Sequence, residues 1–379
     1  MKVFVAREER AETRVAATPE TVRKMVKAGW EVTVERGAGE ASYLPDGEYA
    51  DAGARLAADA AAAWGEADAV LVVRAPAAER AARMRRGALV VGLLAPHANL
   101  DLVRALADRG VDAIALELVP RISRAQSMDA LSSQANIAGY KAVLLAAGAL
   151  PRYFPLLMTA AGTIRPAKVV VMGAGVAGLQ AVATAKRLGA QVEVSDVREA
   201  VREQVQSLGA RFIDLPASEG AEDAGGYARE MGEDFLRRQR EIVARHVAAA
   251  DVVITTALVP GKPAPRLVTR EMIEAMRPGS VIVDLAVEQG GNVELSRAGE
   301  TVVHGGVRVL GPPNLAAEMP LDASTVYARN QLALLETLVR DGALSLDLDD
   351  EVVAGALLVH QGEVRHAPTA AALGKVAAG

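Results

Sequence analysis

Residues 168–196 read KVVVMGAGVAGLQAVATAKRLGAQVEVSD, and the way this run divides decides the fold. Val169 to Met172 is a short apolar, β-branched run of the kind a parallel strand buries on both faces. It empties into Gly173-Ala174-Gly175-Val176-Ala177-Gly178, and a helical run from Leu179 to Leu188 follows without a break. Gly189 closes that helix at C′, Gln191 to Ser195 makes the next strand, and Asp196 ends it. A G-x-G-x-x-G alone carries little weight. With strand, glycines, helix, second strand and acid in this order, the run reads as a dinucleotide-binding unit.

Each of these residues has a chemical task. Gly173 permits the tight turn out of the strand. Gly175 lets the main chain approach a pyrophosphate, with the Val176 N–H as donor, and Gly178 lets helix and sheet pack closely. The free N–H groups and the positive dipole end of the helix then face the phosphates. Asp196 can accept from both hydroxyls of an adenosine ribose and would repel a 2′-phosphate, which selects NAD over NADP. Val197 and Arg198 complete the expected contacts on this turn. Arg198 is the dissenting feature, since an arginine there can hold a 2′-phosphate.

Length and composition set the frame around this unit. At 379 residues two domains are the natural expectation. An apolar content of 51% with only 3% aromatic residues suits parallel sheets covered by helices. The net charge of −5 leaves no basic footprint for nucleic acid. The chain has no cysteine, which removes disulfides, thiol nucleophiles and thiolate metal sites. Its histidines (His97, His246, His304, His360, His366) form no H-x-x-H or HExxH spacing, so no metal site is expected. The N-terminus turns charged too early for a secretory signal. The longest apolar run, Ala142 to Leu150, is too short to span a membrane. The expected location is the cytoplasm, with docking on a membrane partner left open.

Along the chain, alternating strands and helices precede the glycine unit. Strands are expected at Lys2–Ala6, Glu31–Glu35, Ala69–Arg74, Ala88–Leu94 and Ala113–Leu118. Helices are expected from Thr18-Pro19, at Asp51–Trp64, Ala77–Arg86 and Leu100–Arg109. The predicted fold is α/β, with two doubly wound parallel-sheet domains separated by a cleft and joined by long helices. The first comprises residues 1–125 and 320–379, a bridging helix covers 126–150 with Ser127 as its N-cap, and the nucleotide domain covers 151–319. Further strands are read at Arg211–Leu215, Asp251–Leu258, Val281–Ala286 and Val307–Leu310. Leu258, at the end of its strand, belongs on the ligand edge of the sheet. Residues 216–237 are acidic and glycine-bearing, with Tyr227 directly after Gly225-Gly226, and read as a lid over the nucleotide. A helix near Ser324–Val339 returns to the first domain. Residues 355–366 read as a projecting hairpin that turns at Gln361-Gly362 and could join two copies of the chain.

Four stretches carry a family likeness. RVAATP (14–19), VVVMGAGVAGLQA (169–181), TTALVPGKPAP (255–265) and RPGSVIVDLAVEQGG (277–291) resemble the superfamily that joins alanine dehydrogenase to the NAD(H)-binding subunit of proton-translocating transhydrogenase. An alanine dehydrogenase of this type would carry a lysine where Arg74 stands and a histidine where Leu93-Leu94 stand. It would also carry an aspartate where Glu288 stands; His97 is offset from the histidine position. In contrast, PRISRAQSMDALSSQANIAGY (120–140) resembles the transhydrogenase version of this segment.

The resemblance implies that Arg121, Gln126 and Asp129 surround the nicotinamide. Ser127, Met128 and Ser132 are then cofactor contacts beside them, and Gly226 and Tyr227 belong to a mobile loop over the nucleotide. It further implies a homodimer that binds NAD(H) and exchanges hydride directly with NADP(H) on a partner subunit. Membrane-spanning subunits would couple that exchange to proton movement, with this chain peripheral on the cytoplasmic face of the inner membrane. Two alternatives stay open from the residues alone: a self-contained amino-acid dehydrogenase, and a non-catalytic NAD-sensing module.

Overall fold

The computed structural model describes residues 1–9, 11–215, 233–259 and 261–377. The chain divides into two units, Met1–Gln134 with Ala317–Gly379, and Ala135–Ala316. The expected breaks at 125/126 and 319/320 are thus met by divisions at Gln134/Ala135 and Ala316/Ala317.

The first unit alternates strand and helix from the start: β1 (Lys2–Val5), α1 (Pro19–Lys27), β2 (Glu31–Glu35), α2 (Asp46–Asp51), β3 (Arg55–Ala57) and α3 (Ala60–Glu66). It continues through β4 (Ala69–Arg74), α4 (Ala78–Ala81), β5 (Leu89–Leu93), α5 (Leu100–Arg109) and β6 (Asp112–Ala115), and α6 (Ala130–Ala149) follows. The strands lie parallel in the order β3-β2-β1-β4-β5-β6, the doubly wound order with its reversal between β1 and β4. Crossover helices cover both faces, so β4 is fully apolar, with Ala69 to Val73 at most 2% exposed. Trp64 of α3 is buried edge-on against Phe4 of β1, ring centroids 5.9 Å apart, an anchor for helix on strand.

The second unit opens with a hairpin, β7 (Leu157–Thr159) and β8 (Gly162–Ile164). There follow β9 (Lys168–Met172), α7 (Val176–Arg187), β10 (Gln191–Ser195), α8 (Arg202–Ser207), β11 (Arg211–Phe212), α9 (Glu233–Ala248) and β12 (Val252–Thr255). The unit ends with α10 (Arg270–Glu274), β13 (Val281–Asp284), β14 (Thr301–His304) and β15 (Val307–Leu310). The sheet order is β11-β10-β9-β12-β13-β15-β14, all parallel except β14. Its first five strands repeat the order of the first unit.

The chain then adds α11 (Pro320–Thr337), the small ladder β16 (Val339–Arg340) with β17 (Ala343–Leu344), α12 (Glu351–Ala356), β18 (Leu357–His360), β19 (Glu363–Val364) and α13 (Ala367–Ala377). These belong to the first unit, and β18 pairs antiparallel with β6. No helix among the described residues is long and apolar enough to cross a membrane.

Four expectations are corrected. The single helix expected over 51–64 is a helix ending at Asp51, a strand at 55–57 and a new helix from Ala60. Gly53, at φ +95°, ends the first, and Asp59 starts the last by accepting from the Ala61 and Ala62 N–H groups. The cap of α6 is Asp129, not Ser127: its carboxylate accepts from the Ser132 N–H at 2.8 Å. Ser127 instead lies in a 3₁₀ segment, Ser123–Met128. The nucleotide-domain helix begins at Val176, three residues earlier than its apolar pattern suggests, because glycine breaks the pattern without breaking the helix. Finally, the hairpin at 355–366 turns at Gln361-Gly362, both at positive φ, as expected, but it does not project. Leu357, Leu358 and Val359 are at most 2% exposed, because β18 extends the first sheet.

Candidate functional site

At the carboxyl end of β9 the three glycines do three different things. Gly173 sits at φ +103°, and a Cβ there would meet Thr256 Oγ1 at 2.6 Å. At Gly178 a Cβ would fall 1.8 Å from the Gly173 carbonyl oxygen, so only hydrogen fits between helix and strand. Gly175 is the opposite case: exposed, at an ordinary φ of −75°, with nothing within 4 Å of its would-be Cβ. It stands as N-cap of α7 and offers the helix no side-chain cap. Open space over an uncapped helix start is the shape that a phosphate group fills. Val176, the first helical residue, is 38% exposed over the same opening.

The loop is held rigidly from behind. Thr256 Oγ1 donates toward the Gly173 carbonyl at 3.1 Å. Asn292, fully buried, accepts from the Ala257 N–H at 3.0 Å and donates to the Ala257 and Pro265 carbonyls, both at 2.8 Å. Asn292 is itself fixed by Asp284, which accepts from the Asn292 and Val293 N–H groups at the end of β13. The adjacent Leu258 is left 39% exposed at the edge of the sheet. From the other side α6 packs on the first turn of α7, where a Cβ at Gly139 would lie 2.1 Å from the Ala177 carbonyl oxygen.

Asp196, at the end of β10, is 8% exposed and accepts four hydrogen bonds. One comes from the Ala174 N–H of the glycine loop at 2.7 Å. The other three come from Arg198: its N–H at 2.9 Å, Nε at 3.0 Å and Nη2 at 2.9 Å. Arg198 is thus folded back along the turn through Val197 and lies fork-on against the acid.

In the first unit, segment 121–132 is built by its own hydrogen bonds. Ala125 and Met128 are buried in the core and anchor the 3₁₀ turn. The Met128 side chain is therefore committed to packing, and its main chain is what it can offer a ligand. Gln126 and Ser127 are exposed between these anchors, as is Arg121 ahead of them. Asn330 of α11 donates to the Ser127 carbonyl at 2.8 Å and accepts from Ser133 Oγ at 2.7 Å, clamping both ends of the turn. Asp129 and Ser132 are paired, with Ser132 Oγ donating to Asp129 Oδ2 at 2.5 Å. The described residues therefore bring Gln126, Ser127, Asp129 and Ser132 onto one turn, with Arg121 just before it. Gly226 and Tyr227, with the loop expected at 216–237 as far as residue 232, lie outside the described residues.

The carboxyl edge of the first sheet is occupied by the chain's own polar groups. Glu8 accepts from the Val73 N–H at 2.6 Å and the Arg74 N–H at 3.2 Å, across the end of β4. Burial pushes the Glu8 carboxyl up to about 7, against the pull of those two N–H bonds. Glu117 closes the end of β5 in the same way, accepting from the Leu94 and Ala95 N–H groups, and burial raises its pKa too. Tyr327 and Gln331 of α11, both fully buried, donate to the Val72 carbonyl at 2.9 and 2.7 Å. Arg14 is 3% exposed, and Glu12 neutralises it through Nε at 2.8 Å and Nη2 at 2.7 Å. Its Nη1 donates to Gln134 at 2.7 Å. His97, the offset candidate for an acid/base, is exposed on the turn after β5.

Three residues that position the site carry no mark in the motif reading: Gly139, Thr256 and Asn292. Gly139 left a signal, because a glycine in a helix interior costs about 1 kcal/mol and so marks a close approach. Thr256 and Asn292 left none, since each acts through a partner far away in the chain.

The alanine dehydrogenase/PNT N-terminal domain matches residues 4–138, and the C-terminal domain of the same family matches residues 142–367. The chain is 48% identical to the first portion of NAD(P) transhydrogenase subunit alpha from Rhodospirillum rubrum, itself a separate chain, over 97% of this chain and 98% of that one. Identity to the alanine dehydrogenase of Halomonas elongata is 32%, over 99% and 97%. The crystal structure of transhydrogenase from Sinorhizobium meliloti superposes with a TM-score of 0.87 at 50% identity, covering 96% of this chain and all of that one. With both domains matched and with near-complete likeness to a transhydrogenase alpha chain, this protein belongs to the alanine dehydrogenase/transhydrogenase family.

Proposed function

We propose that this chain is the NAD(H)-binding subunit of a proton-translocating transhydrogenase and exchanges hydride directly with NADP(H) held on a separate subunit. The observation that carries the choice within the family is the first sheet's closed edge. A self-contained amino-acid dehydrogenase needs a cation free to bind a carboxylate and a group to move the amine's proton. Here Arg14 is spent on Glu12 and Gln134, leucines stand at the end of β5, and Glu8 and Glu117 fill the strand ends.

The nicotinamide cofactor, when bound, supplies the hydride donor or acceptor. The chain's residues supply position. The Gly173–Gly178 loop and the start of α7 take the pyrophosphate, and Asp196 takes the adenosine ribose. Arg121 and Asp129 orient the nicotinamide end, with Ser127, Met128 and Ser132 beside them, and Gln126 reaches toward the second nucleotide. Hydride moves without an acid, a base or a metal, so alignment and exclusion of water do the work. Proton movement, the NADP(H)-binding and membrane-spanning partners, the homodimer and a peripheral place on the cytoplasmic membrane face belong to the same proposal. The likeness to named transhydrogenase alpha chains supports it.

Two assays test it. Mixed with a purified NADP(H)-binding transhydrogenase subunit, the chain transfers hydride between NADH and an NADP+ analogue; given alanine and NAD+ alone, it forms no NADH. Alanine-dependent NADH formation, or failure to exchange with any such partner, overturns the proposal. Gln126→Asn should lower the hydride-transfer rate at least about tenfold, or about 1.4 kcal/mol, and leave the Kd for NADH within about threefold. An unchanged rate removes Gln126 from the reaction.

A further inference from the structure

We infer that Arg198 is a latent 2′-phosphate site that Asp196 keeps shut, so that the pair, and not the acid alone, sets the choice between NAD(H) and NADP(H). The inference rests on the reading of the second unit as the NAD(H) site. Nε and Nη2 of Arg198 face Asp196 side-on, at 3.0 and 2.9 Å, and the Arg198 N–H adds a third bond at 2.9 Å. That fork geometry is the one a guanidinium offers equally to a carboxylate or a phosphate. On Arg198, then, the carboxylate of Asp196 occupies the place that a phosphate would take. With the Ala174 N–H, four donors converge on its two oxygens, and a carboxylate has about four acceptor directions to give.

Burial makes the arrangement decisive. The side chains of Asp196 and Arg198 are 4% and 13% exposed, so neither charge is screened by water. A 2′-phosphate arriving here meets an acid and a cation already neutralised by it. An unphosphorylated ribose brings only hydroxyl donors, which exchange for arginine donors on the same acid. Arg202, the next cation along the chain, offers no substitute, because it is paired with Glu199 and Asp214 and stacks on Phe212 at 4.5 Å. Removing the acid therefore does more than weaken NADH. It leaves a buried fork without its anion at the end of β10, beside the glycine loop.

The test measures the binding of NADH and NADPH to the full chain by nucleotide fluorescence. Wild-type chain binds NADH and discriminates against NADPH. Asp196→Ala should bind NADH about tenfold more weakly and NADPH at least about tenfold more tightly than wild type, the scale of one charge-assisted hydrogen bond. The double variant Asp196→Ala/Arg198→Ala should lose that gain. Asp196→Asn, which keeps an acceptor for the Ala174 N–H, should move both affinities in the same directions and guards against a fold made unstable by a lone buried cation. A gain that survives in the double variant overturns the role of Arg198, as does a folded Asp196→Asn with no gain in NADPH affinity. Wild-type chain that binds no NADH would bring down the functional reading as well, and so is distinct from those two results.

Discussion

The two sheets of this chain share one strand order through their first five strands and differ at their carboxyl edges. In the first unit that edge is sealed: Glu8 and Glu117 accept from the N–H groups at the ends of β4 and β5, Tyr327 and Gln331 take the Val72 carbonyl, and Glu12 neutralises Arg14. In the second unit the edge at β9 is left open over Gly175, with the unsatisfied start of α7 beneath it. Doubly wound sheets bind ligands at this edge because strand ends and helix starts converge there. What decides whether a given sheet does so is how much of that convergence the chain satisfies by itself. The fold supplies two places of the same kind, and a few side chains leave only one of them open for a nucleotide.

The comparison can be broken most forcefully at Glu12. Its side chain is 1% exposed, and Glu12→Ala strands the buried Arg14 guanidinium. A loss of about 3–5 kcal/mol is expected, read as a large fall in the calorimetric Tm of the first unit. A fall worth less than about 1 kcal/mol would mean that the edge is not sealed by this pair.

The open edge gives a matched pair of tests. Gly178→Ala drives a methyl into the Gly173 carbonyl and should cost about 1–3 kcal/mol of stability together with measurable NADH binding. Gly175→Ala meets no protein atom, so its Tm should stay near wild type while the Kd for NADH rises at least about tenfold, or about 1.4 kcal/mol. Equal effects of the two substitutions on stability would erase the distinction between a packing glycine and a ligand glycine.

The last test sharpens the description of the sealed edge through pH. The Glu8 carboxyl titrates near 7 when folded and near 4.5 when unfolded. Between those values the unfolded chain has already released the proton that the folded chain still holds. Stability from this group is therefore fully present below about pH 4.5 and is lost as the pH rises to about 7, by an amount on the order of 2–3 kcal/mol. Glu8→Gln should flatten that part of the stability–pH curve. An unchanged slope would show that Glu8 is not the buried proton carrier at the end of β4.

Much of this is legible along the chain. The glycine unit announces itself because its parts act over a short span: a strand that must be apolar, a turn that must be glycine, a helix that must follow at once. Strands such as Glu31–Glu35, Ala69–Arg74 and Gln191–Ser195 fall where the pattern places them, because both faces of a parallel strand are buried whatever the neighbour. The alanine-rich stretch after Asp51 misleads, since alanine suits a helix anywhere and only Gly53 and the Asp59 cap show where one ends and the next begins. The hairpin at 357–364 is legible as a turn but not as a partner of β6, which lies far away in the chain.

By itself, then, the sequence determined that this protein would build two doubly wound sheets and put a nucleotide-shaped turn in one of them, because those features arise from neighbours in the chain. Only the tertiary structure decided that Asp129 caps a helix, that Asn292 and Thr256 hold the glycine loop, that Arg198 lies against Asp196, and that the first sheet's edge is closed. Each of these turns on where a side chain points and on which buried donor meets which acceptor. That pairing is fixed by packing in three dimensions, and the order of residues does not record it.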